Sequence, residues 1–240
     1  MQQYDAVRRT GARTAAIDEG LRGYMNRVYG LMAVAMVITG AVAFFIGTNE
    51  QLLAAIFNTP LKWVVMFAPL AVVFAFSAMI HKMSASTAQL VFWAFAALMG
   101  ASISFIFAVY TGVSIAQTFF VTAIAFGGLS LYGYTTKRDL SAMGAFLVMG
   151  LIGLIVASVV NIFLASSALQ FAISVIGVLI FAGLTAYDTQ SIKNEYLGMS
   201  QMGPEGAAYM QKGAIMGALR LYLDFLNMFM FLLKFMGNRE

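Results

Sequence analysis

The sequence predicts an all-α integral membrane protein with seven transmembrane helices. Hydrophobic residues make up 61% of the 240 residues and charged residues only 10%, a balance far from that of a soluble globular domain. Seven apolar runs reach the length of about 20 residues that an α-helix needs to cross a hydrocarbon core. The connections between them leave no room for another folded unit, so we expect one transmembrane domain.

The predicted spans follow one another through most of the chain. They cover residues 28–47, 61–80, 88–110, 113–134, 142–164, 169–188 and 214–236. Residues 1–27 form a charged leader, and the run that follows it is too long for the core of a secretory signal peptide. We therefore expect residues 1–27 to be a cytoplasmic N-terminal tail and residues 28–240 to be the transmembrane domain.

Basic residues are distributed unevenly between the two sides of these spans. One side carries the leader arginines Arg8, Arg9, Arg13, Arg22 and Arg27, followed by Lys82, Lys137, Arg138, Lys193 and Lys212. The other side carries Lys62, Lys234 and Arg239. Because cytoplasmic loops are enriched in lysine and arginine, we expect the N-terminus in the cytoplasm and the C-terminus outside. The net charge of +4 reflects this bias and gives no reason to expect nucleic acid as a partner.

Two connections are longer than the others. Residues 48–60 are expected outside, and residues 189–212 are expected in the cytoplasm. The second connection contains residues that commonly end helices, namely Gly198, Gly203, Pro204 and Gly206.

Two aspartates stand in apolar sequence. Asp188 closes the stretch FAGLTAYD, and Asp224 lies inside LYLDFLNMFMFLL. A carboxylate in or beside a membrane-spanning helix needs a partner, a proton or an ion. These two positions are therefore the first candidates for a functional site.

Small and polar residues of the seventh span share one side of the predicted helix. Spacings of three and four residues align Gly213, Gly217, Arg220, Asp224, Asn227 and Phe231. Glycines permit close helix approach, and the polar groups need partners that lipid does not supply. The stripe is therefore expected to face protein, either as part of a functional site or as a packing seam with a self-satisfied Arg220–Asp224 pair.

The depth of Arg220 decides whether Asp188 and Asp224 can meet. If the seventh helix enters the membrane at Ala214, Asp224 lies about 15 Å deep and misses Asp188 near the inner boundary. If Arg220 instead marks the inner interface, Asp224 lies only about 6 Å inside the apolar layer. We expect the second arrangement, because an arginine at mid-membrane costs more.

Two carboxylates in contact cannot both ionise easily, so the pair is expected to share a proton and to respond to pH. We hypothesise that the protonated pair ties the sixth helix to the seventh. The ionised pair would repel and would offer oxygen ligands to a hard cation such as calcium. Arg220 opposes this response because it would stabilise the ionised carboxylates.

Three segments resemble signatures of the Bax inhibitor-1 family, also called the transmembrane Bax inhibitor motif family. They are TAYDTQSI at 185–192, GALRLYLDFLNMF at 217–229 and TTKRDLS at 135–141. The resemblance covers nearly the whole chain and implies a bacterial inner membrane protein whose last helix is wrapped by the other six. It also implies a pH-regulated calcium leak in which Asp188 and Asp224 form a latch.

The chain departs from some relatives in the second span. Where those relatives place arginines at the inner end and an acid within the span, this chain has His81 and Lys82 and no acid in residues 61–80. His81 is either a pH-responsive substitute or an incidental interfacial residue. Asn227 and Arg220 complete the supporting residues expected around the aspartate pair.

Other functional classes have little support. The chain has no cysteine, one histidine, no nucleotide-binding glycine loop and no GxGD motif of intramembrane aspartyl proteases, so we expect neither an enzyme nor a cofactor. The alternative to a channel is a non-transporting membrane regulator. In that case the N-terminal tail would bind a partner, which the resemblance implies is a membrane AAA protease or another membrane protein.

Overall fold

A computed structural model describes residues 2–238, with side chains described from residue 17 onward except at 204, 205 and 208. Within this part of the chain all regular structure is helical. The α-helices are α1 (Gln2–Gly47), α2 (Glu50–Phe57), α3 (Leu61–Met79), α4 (Ala85–Ile103), α5 (Ile106–Val109), α6 (Gly112–Thr135), α7 (Ser141–Leu164), α8 (Ser167–Met199) and α9 (Pro204–Met236). A short 3₁₀ segment, Ile80–Lys82, follows α3.

Seven helical stretches are long and apolar enough to cross a membrane. They are Ile17–Gly47, Leu61–Lys82, Ala85–Val109, Gly112–Thr135, Ser141–Leu164, Ser167–Met199 and Tyr209–Met236. Each contains one of the predicted spans, apart from residue 110 at the end of the third. The predicted all-α fold with seven membrane-spanning helices is therefore confirmed.

Residues 189–212, predicted as a connection with helix breakers, are mostly helical, so the helix ends expected at Gly198 and Gly206 were wrong. α8 continues to Met199, and α9 begins at Pro204. Only Gly203 acts as a breaker, with a φ of 67° that favours glycine. Pro204 is tolerated in the first turn of α9, where its missing N–H needs no partner. Gly198 and Gly206 lie inside helices, since an internal glycine costs only about 1 kcal/mol.

The N-terminal boundary drawn at Val28 lies in the middle of α1. Leu21, Tyr24 and Met25 are buried, so the packed body of the protein already includes part of the predicted tail. The side chains of Arg8, Arg9 and Arg13, and the whole of Arg239, lie outside the described residues. Which side of the membrane each terminus occupies stays a prediction.

The last helix is the most buried of the seven spans. In its most apolar stretch 61% of the residues are buried, and α9 packs against α1, α4, α6 and α8. α8 in turn packs against α6 and α7. Wrapping of α9 by all six other spans stays a prediction. The arrangement places one face of α8 directly against the polar stripe of α9.

Candidate functional site

α8 and α9 form an antiparallel seam. A Cβ at Gly217 would lie 3.1 Å from Ile192, and a Cβ at Gly177 would lie 2.7 Å from the ring of Phe231. At each end of the contact, a glycine of one helix therefore packs against a large side chain of the other helix. The seam is the contact surface of α8 and α9 between these two glycine contacts, and it includes Asp188 and Asp224.

The structure brings the two aspartates together. The carboxyl groups of Asp188 on α8 and Asp224 on α9 lie within hydrogen-bonding reach. Asp224 is only 4% exposed, and its Oδ2 atom has no hydrogen-bond partner among the described residues. Because an ionised carboxylate only accepts hydrogen bonds, the two groups can bond directly only when one carries a proton.

Arg220 lies beside the aspartate pair but binds another acid more closely. Its Nη2 atom donates to Oε1 and Oε2 of Glu195 at 2.8 and 2.7 Å. Its Nη1 atom lies 3.9 Å from Oδ1 of Asp188. The ion pairs that Arg220 makes with described residues are these two, so the self-satisfied Arg220–Asp224 pair is not formed. The guanidinium reaches across the seam because both acids that it contacts lie on α8.

Glu195 is the member of the site that sequence reasoning missed. It lies seven residues after Asp188, and Ser191 lies between them at a helical spacing. The Ser191 hydroxyl donates to Glu195 Oε1 at 3.2 Å and accepts a 3.4 Å contact from Arg220 Nη1. The spacing would have revealed Glu195 if residues 189–195 had been assigned to the sixth helix.

Tyr24 of α1 is a buried neighbour of this cluster. Its hydroxyl is buried without a hydrogen-bond partner among the described residues and lies near Glu195 and Arg220. Its ring packs on Tyr196 of α8, with 5.1 Å between the ring centroids. The Arg220–Glu195 ion pair therefore has neighbours on α1, α8 and α9, although its side chains are 29% and 41% exposed.

A chain of hydroxyl groups reaches Thr189, the residue that follows Asp188 in α8. The hydroxyls of Tyr29 on α1 and Ser130 on α6 are hydrogen bonded, and Ser130 Oγ lies 3.0 Å from Thr189 Oγ1. Thr189 donates to the carbonyl of Thr185, one turn earlier in α8. These bonds fix α1, α6 and α8 around the residue that follows Asp188.

The other two supporting residues are not bonded to the aspartates. Asn227 Nδ2 donates to the carbonyl of Leu223 at 2.8 Å, within its own helix. His81 is exposed in the 3₁₀ segment, where its carbonyl accepts a hydrogen bond from Lys212 Nζ at 3.0 Å. No hydrogen bond or ion pair between described residues joins either side chain to the pair.

The aspartate pair is a sparse set of ligands for a cation. Calcium takes six to eight oxygen ligands, whereas the pair offers the oxygens of two carboxyl groups. No group of three or more histidine, aspartate or glutamate side chains with metal-site geometry occurs in the described part of the chain. The arrangement suits brief contact with a passing cation better than a resident metal ion.

Comparison with known proteins gives long matches. The family model Bax1-I, described as inhibitor of apoptosis-promoting Bax1, matches residues 21–240. The inner membrane protein YbhL of Escherichia coli strain K12 is 47% identical over 222 residues, 92% of this chain and 94% of YbhL. Protein RP147 of Rickettsia prowazekii is 46% identical over 242 residues, covering 100% of both chains. A Caulobacter vibrioides protein is 47% identical over 235 residues, 94% of this chain and 92% of that protein.

Proposed function

The chain belongs to the Bax inhibitor-1 family, and from this premise we propose that it is a pH-sensitive calcium leak channel of the bacterial inner membrane. The observation that carries the proposal is the buried contact between the carboxyl groups of Asp188 and Asp224 across the seam. In the proposal, this contact holds the channel closed.

Proton loss supplies the force that opens the seam. With one proton shared, the carboxyl groups hydrogen bond and join α8 to α9. With both groups ionised, two unit charges about 4 Å apart at an effective dielectric constant of 20 repel by about 4 kcal/mol. Conformational equilibria of proteins are commonly balanced within a few kcal/mol, so this repulsion is large enough to favour a separated state.

Glu195 keeps Arg220 from neutralising the pair. Both Glu195 oxygens lie within 2.8 Å of the guanidinium, whereas the nearest contact with Asp188 is 3.9 Å. Charge-assisted hydrogen bonds at the shorter distance are the stronger interaction. The aspartates therefore retain their need for a proton, which is the property that a pH-sensitive closure requires.

Opening requires movement of α9 or its neighbours. Beyond Asp224 the buried residues of α9 are apolar and tightly packed, namely Phe225, Leu226, Met228, Phe229 and Leu233. A hydrated cation has no polar route through this packing. The separated aspartates would provide the first oxygen ligands once the helices part.

Calcium flux in liposomes tests the proposal. Purified protein should pass calcium, and the flux should rise from pH 6 to pH 8. Asp224→Asn should keep the flux at the low pH 6 level throughout, because an amide hydrogen bonds to Asp188 without repelling it. Asp139→Asn is the matched control, since Asp139 is an exposed carboxylate between α6 and α7. Liposomes that pass no calcium at any pH would favour the partner-binding alternative, in which deletion of residues 1–23 abolishes regulation.

A further inference from the structure

A groove separates α1 from α6 on the outer surface of the helix bundle. Its volume is about 720 Å³, and Met25, Phe126 and Ser130 form its buried floor. Arg22 and Gly127 lie at its exposed rim. Both helices pack against α8 and α9, so the groove is a gap on the perimeter of the bundle.

The groove is polar at one end and apolar along the rest of its length. Glu19, Arg22 and Asn26 lie toward the N-terminal end of α1, whereas Met25 and Phe126 give the walls their apolar character. A Cβ at Gly23 or at Gly127 would meet nothing within 4 Å, so the absence of two side chains widens the groove. The shape and polarity suit a chain molecule with a polar end.

A basic pocket adjoins the polar end of the groove. It has a volume of about 210 Å³, and Lys137, Arg138 and Lys193 are its cations. Lys193 Nζ donates at 2.8 Å to the carbonyl of Tyr134, a residue that also lines the groove. The Lys193–Tyr134 hydrogen bond therefore links a residue of the pocket to a residue of the groove.

Asp139 is the acidic residue that lines this pocket, and its carboxylate already accepts hydrogen bonds from Ser141. Its Oδ1 atom accepts a hydrogen bond from the backbone N–H of Ser141 at 2.9 Å, at the start of α7. The hydrogen bonds from Ser141 hold the pKa of Asp139 below its usual range. An anion in the pocket would meet three cations and one carboxylate that is bound to a helix start.

We infer that the groove and the basic pocket together bind an anionic phospholipid. One acyl chain would lie along Met25, Phe126 and Gly127, and the phosphate would lie among Lys137, Arg138 and Lys193. Bilayer acyl chains are the apolar material available to a groove on the outer surface of a transmembrane bundle, and basic pockets beside transmembrane helices attract anionic headgroups. The inference stands independently of calcium transport.

Native mass spectrometry of the purified protein tests the site. Dioleoyl phosphatidylglycerol should bind more tightly than dioleoyl phosphatidylcholine. The double variant Lys137→Gln with Arg138→Gln should weaken phosphatidylglycerol binding by about fivefold for each cation removed. Gly127→Leu should weaken binding of both lipids by about tenfold, equivalent to excluding about two methylene groups from the groove.

Matched control variants distinguish loss of this lipid site from general effects of adding a leucine or removing a cation. Gly153→Leu adds the same side chain at another exposed glycine with open space, and Lys82→Gln removes a cation outside the pocket. Neither should change lipid binding. Glycerol 3-phosphate should not displace the lipid, because it lacks the acyl chains. Equal binding of the two lipids, displacement by glycerol 3-phosphate, or unchanged binding in the Gly127→Leu protein would overturn the inference.

Discussion

The last span, in α9, and the fifth span, in α7, are both apolar helices, yet they occupy opposite environments. α7 has the higher mean hydropathy, but only 11% of its most apolar stretch is buried, against 61% for α9. α9 instead carries Arg220, Asp224 and Asn227 within its span. The less hydrophobic helix thus occupies the interior.

This difference shows what determines burial in a bilayer. Lipid tails are as apolar as leucine, so hydrophobicity alone gives a helix no reason to leave them. Small residues that allow close packing and polar groups that need partners favour contact with other helices. α7 follows this rule at two of its three buried positions, the small Gly144 and the polar Asn161, whereas the third is Leu154.

Truncation of one isoleucine in each helix tests the comparison most strongly. Ile215 of α9 is fully buried, whereas Ile152 of α7 is 59% exposed. Ile215→Ala should lower the free energy of unfolding by about 2–5 kcal/mol, because it leaves a cavity. Ile152→Ala should cost less, because lipid fills the vacated space. Chemical unfolding in detergent micelles measures both, and equal losses would break the comparison.

Glycines within α6 show the same contrast at smaller scale. A Cβ at Gly133 would clash with the carbonyl oxygen of Ala186 in α8, whereas a Cβ at Gly128 would meet nothing within 4 Å. Gly133→Ala should lower the free energy of unfolding by about 1–3 kcal/mol through overpacking. Gly128→Ala is the matched control and should be neutral or slightly stabilising. Equal midpoints of thermal unfolding for the two variants would contradict the close contact of Gly133 with α8.

Removal of the Glu195 charge tests whether Glu195 keeps Arg220 from binding the aspartates. In Glu195→Gln, Arg220 loses its closest partner and can bind the ionised aspartates, which would hold α8 and α9 together. A hydrogen bond to a charged group contributes about 1.5 kcal/mol, so calcium flux at pH 8 should fall about tenfold. Flux at pH 6 should be unchanged, and Glu50→Gln, at the start of α2, is the control. Unchanged flux at pH 8 would show that Glu195 does not restrain Arg220.

The smallest effect is expected at Asn227. Its side chain donates to its own helix at Leu223 and makes no recorded hydrogen bond to the aspartates. Asn227→Ala should therefore change calcium flux by less than about twofold at every pH, because an intrahelical hydrogen bond contributes only about 1 kcal/mol to both states. A loss of pH dependence in this variant would show that Asn227 helps the aspartate contact to hold the channel closed.

The seven spans and the meeting of Asp188 with Asp224 were predictable from the sequence. Apolar length sets the spans, and the three- and four-residue spacing around Asp224 sets the face of α9 that contacts protein. The depth argument, with Arg220 near the inner interface, led to the expected contact. These features depend on local pattern and on the thickness of a bilayer.

The parts that were missed depend on contacts that local pattern does not contain. Hydropathy ends at Asp188, but α8 continues for eleven residues because a helix can extend beyond the apolar layer. Glu195 consequently fell in the predicted connection, and Asp224 was the one ion-pair partner considered for Arg220 within its own helix. The groove between α1 and α6 was also missed, because it depends on how two distant helices are positioned by α8 and α9.

Coupling between the two aspartates tests the central claim most directly. Calcium flux from liposomes should be measured from pH 6 to pH 8 for the unmodified protein, Asp188→Asn, Asp224→Asn and the double variant. If the two groups act as one closure, each single change should remove the pH-dependent rise, and the double change should add nothing further. Independent, additive effects of the two substitutions, or a normal pH profile in either single variant, would contradict a shared closure.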